Sequence, residues 1–141
     1  MSEKLLNLLG LMRKAGAIEI GETNTGTACG EGKGKILLLA SDASDNARHR
    51  AAVFVNGRRT LLLEVPFTKE QISQKVGVGG CSMAAITDLG FADAFVRGLA
   101  QTDPEHYGEA AEYMKKRLDK AVRRRKSTAE LKKKHQGKRE E

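Results

Sequence analysis

The sequence contains no tryptophan, only two prolines and two cysteines, and aromatic residues make up 4% of its 141 residues. So few aromatic side chains argue against a surface that binds single-stranded nucleic acid by stacking its bases. No apolar run approaches the roughly 18 residues of a membrane span, so no membrane helix and no membrane partner are expected. The first residues lack the basic stretch and long apolar core of a secretory signal, which predicts a cytoplasmic location.

Residues for catalysis or metal binding are also scarce. Cys29 and Cys81 are far apart in the chain, and in a reducing compartment such cysteines usually pack as small buried hydrophobes. The three histidines have no spacing that would build a metal site with them. The glycine-rich stretch 21–35 lacks the Gly-Lys-Ser/Thr of a phosphate loop, and it precedes a predicted buried strand instead of following one. The sequence therefore predicts a protein that is not an enzyme and uses no metal or other cofactor.

Positive charge is concentrated at one end of the chain, although the net charge is only +7. Residues 115–141 contain 13 Lys or Arg and four Asp or Glu, a balance of +9, whereas residues 1–114 contain 12 and 14, a balance of −2. A polyanion such as RNA gains affinity when basic side chains neutralise its phosphates and release counterions. The basic segment therefore indicates an RNA partner. The alternative is a solvated extension that only improves solubility.

Strands and helices are predicted to alternate along the first hundred residues. Apolar residues recur at helical spacing near the start of the chain and predict a first helix that ends at Gly16. A short strand is predicted after it, at 17–20. Continuous apolar runs at 36–40 and 60–65 predict strands buried on both faces of a sheet, and a further strand is predicted at 82–87. Helices are predicted between the later strands, whereas local propensity argues against a helix in the glycine-rich stretch 21–35. This order predicts an α/β sandwich with helices on both sides of a small, mostly parallel sheet.

Residues 103–141 are predicted to form a basic helical tail after a domain at 1–102. Pro104 follows an Asp that can cap a helix, which is a common start signal. A narrow apolar stripe among the Lys and Arg side chains predicts a basic amphipathic helix. The stripe consists of Ala111, Met114, Leu118 and Val122. Ser127 has the spacing of a cap for a second short helix.

Three short segments carry a family resemblance. They read Leu-Gly-Leu-Met-Arg-Lys-Ala-Gly at 9–16, Gly-Lys-Gly-Lys-Ile-Leu-Leu-Leu-Ala-Ser-Asp-Ala-Ser at 32–44, and Ala-Ile-Thr-Asp-Leu-Gly-Phe-Ala at 85–92. Together with the order of the elements, they resemble the ribosomal-protein L-seven-Ae superfamily, and most of all its small bacterial YlxQ-like branch. The resemblance covers about residues 3–100 and leaves out the tail. It implies a three-layer α/β/α sandwich in which residues 21–31 form a helix, against the propensity of their glycines.

The start of that helix is where archaeal-type members of the superfamily grip kink-turn RNA, with the pattern Gly-x-Asn-Glu-x-x-Lys. This chain reads Gly-Glu-Thr-Asn-Thr-Gly-Thr at 21–27, so Gly21 is retained. Thr23, Asn24 and Thr27 replace the Asn, Glu and Lys. Asn24 can still hydrogen-bond, whereas Thr27 cannot supply the lysine's charge. From the local pattern alone, Thr and Asn could instead simply cap a helix that begins near Gly21.

The resemblance implies that the protein binds structured RNA, kink-turned or bulged, as a ribosomal or ribosome-associated protein. Ribosomal RNA is the expected ligand, and ribosomal proteins are additional candidate partners. The family's second contact, an apolar loop before the last strand, is glycine-rich here. The residues expected to bind RNA are Lys14, Gly21, Glu22, Thr23, Asn24, Thr27, Lys33, Lys35, Val78, Gly79, Gly80, Lys115, Lys116, Arg123, Arg124 and Arg125.

The rival hypothesis is a protein-interaction module on the ribosome. In that case the altered helix start no longer contacts RNA, and the apolar stripe of the tail docks a protein partner. The acidic balance of residues 1–114 favours this alternative.

Overall fold

The computed structural model describes residues 2–140, and side chains are described for residues 3–128. Six helices and four strands occur in the described chain. They are α1 Ser2–Ala15, β1 Ile18–Ile20, α2 Glu22–Gly30, β2 Ile36–Leu39, α3 Asp45–Val55, β3 Leu61–Glu64, α4 Lys69–Val76, β4 Met83–Ile86, α5 Leu89–Thr102 and α6 Pro104–Glu140. Helices and strands alternate through β4, as the sequence predicts.

The sheet is mixed, so the expectation of a mostly parallel sheet was wrong. Its strand order is β1-β4-β2-β3, and β2 and β3 are parallel. β4 lies between β1 and β2 and runs antiparallel to both. All four residues of β4 are buried. A continuous apolar run indicates that a strand is buried, but it does not indicate the direction in which the strand runs.

The strand directions give the sheet two chemically distinct ends. Ile20 pairs with Ala84, and Leu39 pairs with Met83, so β1 and β2 end where β4 begins. We call this the Gly21 end, because Gly21 follows β1 there. At the opposite end, β2 begins next to the last residue of β4, and β3 begins next to the first residue of β2. We call it the Lys35 end.

Two helical layers cover the sheet. Ile36 and Leu38 pack on one face with apolar residues of α1, α4, α5 and α6. Leu37 and Leu39 pack on the other face with residues of α2 and α3. This arrangement confirms the three-layer α/β/α sandwich.

Helix α2 forms despite its glycines, as the family resemblance implies. A Cβ atom at Gly26 would lie 2.9 Å from two ring carbons of Phe54 on α3. The glycine therefore lets the two helices approach closely. This contact between helices outweighs the low helix propensity of the segment, which a purely local analysis cannot register.

Strand β3 is an edge strand, so the expectation that it is buried on both faces was wrong. Its residues alternate between half-buried and exposed. Helix α6 lies along this edge: the Tyr107 hydroxyl donates to the Glu64 carbonyl at 2.7 Å, and Arg117 Nη1 makes a long 3.5 Å contact with the Arg59 carbonyl. These two helix residues are about 15 Å apart along the axis, close to the length of the strand.

Helix α6 starts as predicted and then continues without a break. The Asp103 carboxylate accepts from the His106 backbone N–H at 3.3 Å. The second helix expected from Ser127 was wrong, because α6 runs through that residue. Thr128 bonds back to the Arg124 carbonyl at 2.9 Å instead of opening a new turn. Extending a helix is easier than starting one, which explains why a capping residue inside it is tolerated.

No helix among the described residues has both the length and the hydropathy needed to cross a membrane.

Candidate nucleic-acid interface

Gly21 sets the geometry of the first half of the interface. Its φ of 92° is in the region that favours glycine, and its N–H donates to the Met83 carbonyl at 3.1 Å. Gly21 also precedes the first turn of α2 and has no side chain with which to cap it. The first amides of α2 therefore lack a capping side chain, and they form the positive end of the helix dipole.

The loop before β4 adjoins this helix start. The Cys81 N–H donates to Ser73 Oγ at 3.1 Å, and the Cys81 thiol to the Met83 carbonyl at 3.4 Å. Burial raises the pKa of the Cys81 thiol, and hydrogen bonds with the backbone of Gly21 and Met83 partly offset the effect. The structure thus brings together two segments that are about 60 residues apart in the sequence.

Within that loop the predicted contact residues differ in exposure. Gly79 and Gly80 are exposed, so their backbone is open to a ligand. Val78 is half-buried and packs against the apolar core. The glycines offer close backbone approach, while Val78 offers only part of its side chain.

Polar side chains at the start of α2 are bonded to nearby backbone carbonyls. Asn24 Nδ2 donates to the Ile20 carbonyl at 3.0 Å, and Thr27 Oγ1 donates to the Thr23 carbonyl at 3.1 Å. Neither side chain accepts from a helix N–H, so neither caps the helix. Asn24 keeps its amide oxygen and one N–H for a ligand.

The acidic residue of the predicted set is neutralised. Glu22 forms an ion pair with Arg50 of α3. The two side chains border a shallow cavity of about 480 Å³ between α2 and α3. Its other lining residues are Thr23, Gly26, Thr27 and Phe54.

The predicted lysines of the domain lie at the opposite end of the sheet. Lys14 is in the last turn of α1, and Lys33 and Lys35 precede β2. Lys33 pairs with Glu31 at 2.9 Å, and this contact raises the pKa of Lys33. Lys35 is half-buried beside other cations and shows no such pairing among the described side chains.

The predicted tail residues belong with this second group. Lys115, Lys116 and residues 123–125 are exposed on α6. Tyr107 reaches the end of β3 and Arg117 reaches the residue before its start, so α6 runs from the Gly21 end towards the Lys35 end. The sequence-predicted residues therefore form two groups at opposite ends of the sheet.

Sequence reasoning missed three cations at the Lys35 end. Arg58, Arg59 and Arg117 line a cavity of about 330 Å³ together with Lys35. The available signal was the pair Arg58-Arg59 directly after the Asn-Gly turn and before a predicted strand. Arg117 could not be linked to that pair without knowing the path of α6.

Both cysteines are buried and free, as predicted for packing residues. Burial also raises the pKa of the Cys29 thiol. The described part of the chain brings no three His, Cys, Asp or Glu side chains together in a group that could hold a metal ion.

Comparison with known proteins adds one sequence relative and two similar folds. The chain is 32% identical over 94 residues to the RNA-binding protein YlxQ of Enterococcus faecium, which covers 64% of this chain and 85% of that protein. No protein-family model matches. A Bacillus halodurans protein of unknown function has a TM-score of 0.61 at 21% identity, covering 67% of this chain and 94% of that one. The Giardia lamblia 15.5 kD RNA binding protein has a TM-score of 0.55 at 20% identity, with coverages of 80% and 88%. The two structures establish similarity of fold.

Proposed function

Because this chain belongs to the YlxQ-like branch of the L-seven-Ae superfamily, we propose that it binds structured RNA, kink-turned or bulged, without catalysing a reaction. Ribosomal RNA is the ligand that the family resemblance favours, and the protein would then act in the cytoplasm as a ribosomal or ribosome-associated protein. In this proposal residues 1–102 form the RNA-binding domain, and residues 103–141 add phosphate attraction as a basic tail. The name of the Enterococcus faecium relative supports RNA as the partner.

The hydrogen bond from the Gly21 N–H to the Met83 carbonyl is the observation that carries this proposal. It holds the start of α2 against the segment that follows the exposed glycines 79 and 80. Together they present uncapped helix amides beside an open backbone, and such groups bind phosphate oxygens or base edges of a bent RNA. Two flexible segments would lose conformational entropy when they became ordered on binding RNA. The start of α2 and the loop before β4 are already held together, so this cost is smaller.

Asn24 is assigned the most specific contact. Its Nδ2 bond to the Ile20 carbonyl fixes the direction of the side chain, and its remaining amide groups can bond a bulged nucleotide. Replacing Asn24 with Ala should weaken binding to a kink-turn RNA by roughly fivefold, or about 1 kcal/mol, since one hydrogen bond is lost. Thr27→Lys should tighten binding to the same RNA through a charge-assisted contact.

The test is titration of both variants against a kink-turn RNA and an unkinked duplex at one fixed salt concentration. Asn7→Ala, an exposed substitution on α1, is the matched control. A thermal melt of each variant checks that the loss of the Asn24 bond to Ile20 has not unfolded α2. If Asn24→Ala and Thr27→Lys both match the parent on both RNAs, this surface does not recognise RNA.

The protein-interaction module is the second candidate function, and one observation favours it. Val122, on the apolar stripe of α6, is 39% exposed. However, Met114 of the same stripe is fully buried against the domain, so the domain itself occupies part of the stripe. Equal RNA binding by the parent and by both variants above would make this candidate the better one.

A further inference from the structure

The cavity at the Lys35 end has an unusual lining. Four basic side chains, those of Lys35, Arg58, Arg59 and Arg117, surround it with Thr60 and three glycines. These cations come from three separate stretches of chain: the entry to β2, the turn before β3 and the middle of α6. We refer to this feature as the Lys35 cavity.

The four cations are not used for structural ion pairs. Elsewhere in the domain, Arg48 pairs with Glu64, Arg50 with Glu22, and Lys75 with Glu3. Among the described side chains, none of the four forms a salt bridge. Like charges placed together without counterions repel one another, so the fold gains nothing from this arrangement by itself.

Two of the guanidinium groups are oriented by backbone carbonyls. Arg58 Nη1 donates to the Gly30 carbonyl at 3.2 Å, and Arg117 contacts the Arg59 carbonyl at 3.5 Å. Arg117 also lies over the ring of Tyr113, 5.8 Å from its centroid. A guanidinium has five N–H donors in a planar fork, so each keeps donors for an anion.

The electrostatics of Lys35 agree with this geometry. Burial is the main cause that lowers the pKa of Lys35, and the charges of Arg117 and Arg59 lower it further. Asp88 is the opposing acidic group, and its carboxylate already accepts from the Phe91 N–H at 2.9 Å as the cap of α5. The positive charge of the cavity is therefore only weakly compensated.

We infer that the Lys35 cavity is a second RNA-contact site, which binds a phosphate group of the RNA backbone. Among the described residues, the cavity is lined by four cations and by no aromatic side chain that could stack a base, which favours a phosphate over a base as the bound group. The exposed basic residues 115, 116 and 123–126 continue the positive charge along α6 from the same end, which fits a polymer of phosphates better than a single anion. The identity of this polymer rests on the proposed function. The location of the site does not.

Two variants isolate the cavity from general charge effects. Arg58→Gln/Arg59→Gln removes two cations from its lining, and Lys4→Gln/Lys69→Gln removes two cations from other parts of the domain. For an unkinked RNA duplex, the salt dependence should become less steep in the first variant. The slope of log affinity against log salt should change by about 1, because the one phosphate bound in the cavity is no longer neutralised and its counterions are not released. The second variant should keep the parent's slope. Arg58→Lys/Arg59→Lys should keep most of it.

A second measurement requires no RNA. Amide resonances of Gly32, Gly34 and Thr60 in the full chain should shift and saturate on titration with inorganic phosphate, and they should not do so in Arg58→Gln/Arg59→Gln. If that double variant is unfolded in a thermal melt, Arg59→Gln alone replaces it, with half the change in slope.

The outcomes separate this inference from the proposed function. A lower salt slope for the cavity variant together with no kink-turn preference supports the cavity and rejects the role of the Gly21 end. Kink-turn preference together with equal slopes for cavity and control variants overturns the cavity. Phosphate shifts without any RNA binding at low salt would reject RNA as the polymer, and the inference with it.

Discussion

The two ends of the sheet present opposite kinds of chemical groups to a proposed anionic ligand. At the Gly21 end, Glu22 is paired with Arg50, and the groups offered to a ligand are backbone amides and the side-chain amide of Asn24. At the Lys35 end, four cations stand together without pairing among the described residues. Backbone and amide groups read shape, whereas unpaired charge supplies attraction that does not depend on sequence. The contrast teaches that specificity and affinity can be assigned to different places in one small fold.

The two ends also differ in what holds them. The Gly21 end is built within the domain from two segments about 60 residues apart in the sequence, joined by the bond from the Gly21 N–H to the Met83 carbonyl. The Lys35 end is complete only when α6 delivers Arg117 beside Arg59. The five predictions that follow test this difference, in order of decreasing expected effect.

The largest effect is expected from Met114→Ala. Met114 is fully buried where α6 packs against the domain, and truncating such a side chain costs about 2–5 kcal/mol of the free energy of unfolding. Urea denaturation measures the loss, and Met114→Leu should cost less than about 1.5 kcal/mol because volume is conserved. Amide shifts should be large around Arg59 and small around Gly21. Large shifts at both ends would show that the Gly21 end also depends on α6.

Thr60→Val should destabilise the Lys35 end by removing a buried hydrogen bond. The buried Thr60 hydroxyl donates to the Gly34 carbonyl at 2.7 Å, and this bond ties the entry of β3 to the entry of β2. Leaving the carbonyl without a partner should lower the free energy of unfolding by about 1–3 kcal/mol. Thr60→Ser keeps the hydroxyl and is the control. No loss for Thr60→Val together with a loss for Thr60→Ser would mean that the methyl group matters and the hydrogen bond does not.

Gly26→Ala is the matching test at the Gly21 end. The added methyl would meet the ring of Phe54 at 2.9 Å, and the ring must move away. We expect a loss of about 1 kcal/mol in the free energy of unfolding, at the low end for overpacking because Phe54 is half-buried. Gly30→Ala in the same helix meets nothing within 4 Å and should leave stability nearly unchanged. A stabilising Gly26→Ala would contradict the packing argument.

The smallest effects have opposite signs at the two ends. Arg50→Gln removes a paired surface charge and should destabilise the protein by about 0.2–1 kcal/mol. Lys35→Gln removes a repelled charge and should stabilise it by roughly 0.3 kcal/mol. Thermal melts at low salt measure both changes, and high salt should reduce both. If both variants changed the stability in the same direction, the proposed electrostatic difference between the two ends would be wrong.

The same Lys35 variant has a defined pH dependence. The pKa of Lys35 is lowered in the folded state, by burial first and by Arg117 and Arg59 next. At pH values below this lowered pKa, Lys35 is charged in both the folded and the unfolded state. The folded state is then destabilised by the full cost of burying this charge beside Arg117 and Arg59. The advantage of Lys35→Gln should therefore be complete at neutral pH. It should disappear as the pH rises from the lowered pKa to the ordinary lysine value of the unfolded chain.

Elements encoded by local signals were predictable from the sequence. The capping box of Thr68 with Gln71 opens α4, and Ser44 caps α3. The apolar run at 36–40 became the buried strand β2, and the strand predicted at 82–87 became β4. The direction of β4 was not predictable, because an apolar run reads the same in either direction. The helix at 22–30 also required the family resemblance, since the Gly26 contact with Phe54 joins residues of different helices.

The candidate site was predictable only where its residues share a motif. The start of α2 and the loop at 78–80 were identified from the family pattern, and their assignment to RNA remains a prediction. The Lys35 cavity was missed because Arg59 and Arg117 are almost 60 residues apart, and only the course of α6 brings them together. A net charge divided along the chain indicated a basic tail, but it could not indicate which face of the domain the tail approaches.

The course of α6 along β3 also affects how the protein folds while it is being synthesised. Glu64 leaves the ribosome long before Arg117, and at roughly 5–20 residues per second the interval between them lasts several seconds. During that interval the outer edge of β3 has no cover, and an uncovered edge strand can pair with another nascent chain. The edge of β3 is therefore open to such pairing until α6 emerges. Slow decoding of the codons for residues 65–117 should lower the yield of folded protein more than slow decoding of the codons for residues 2–60.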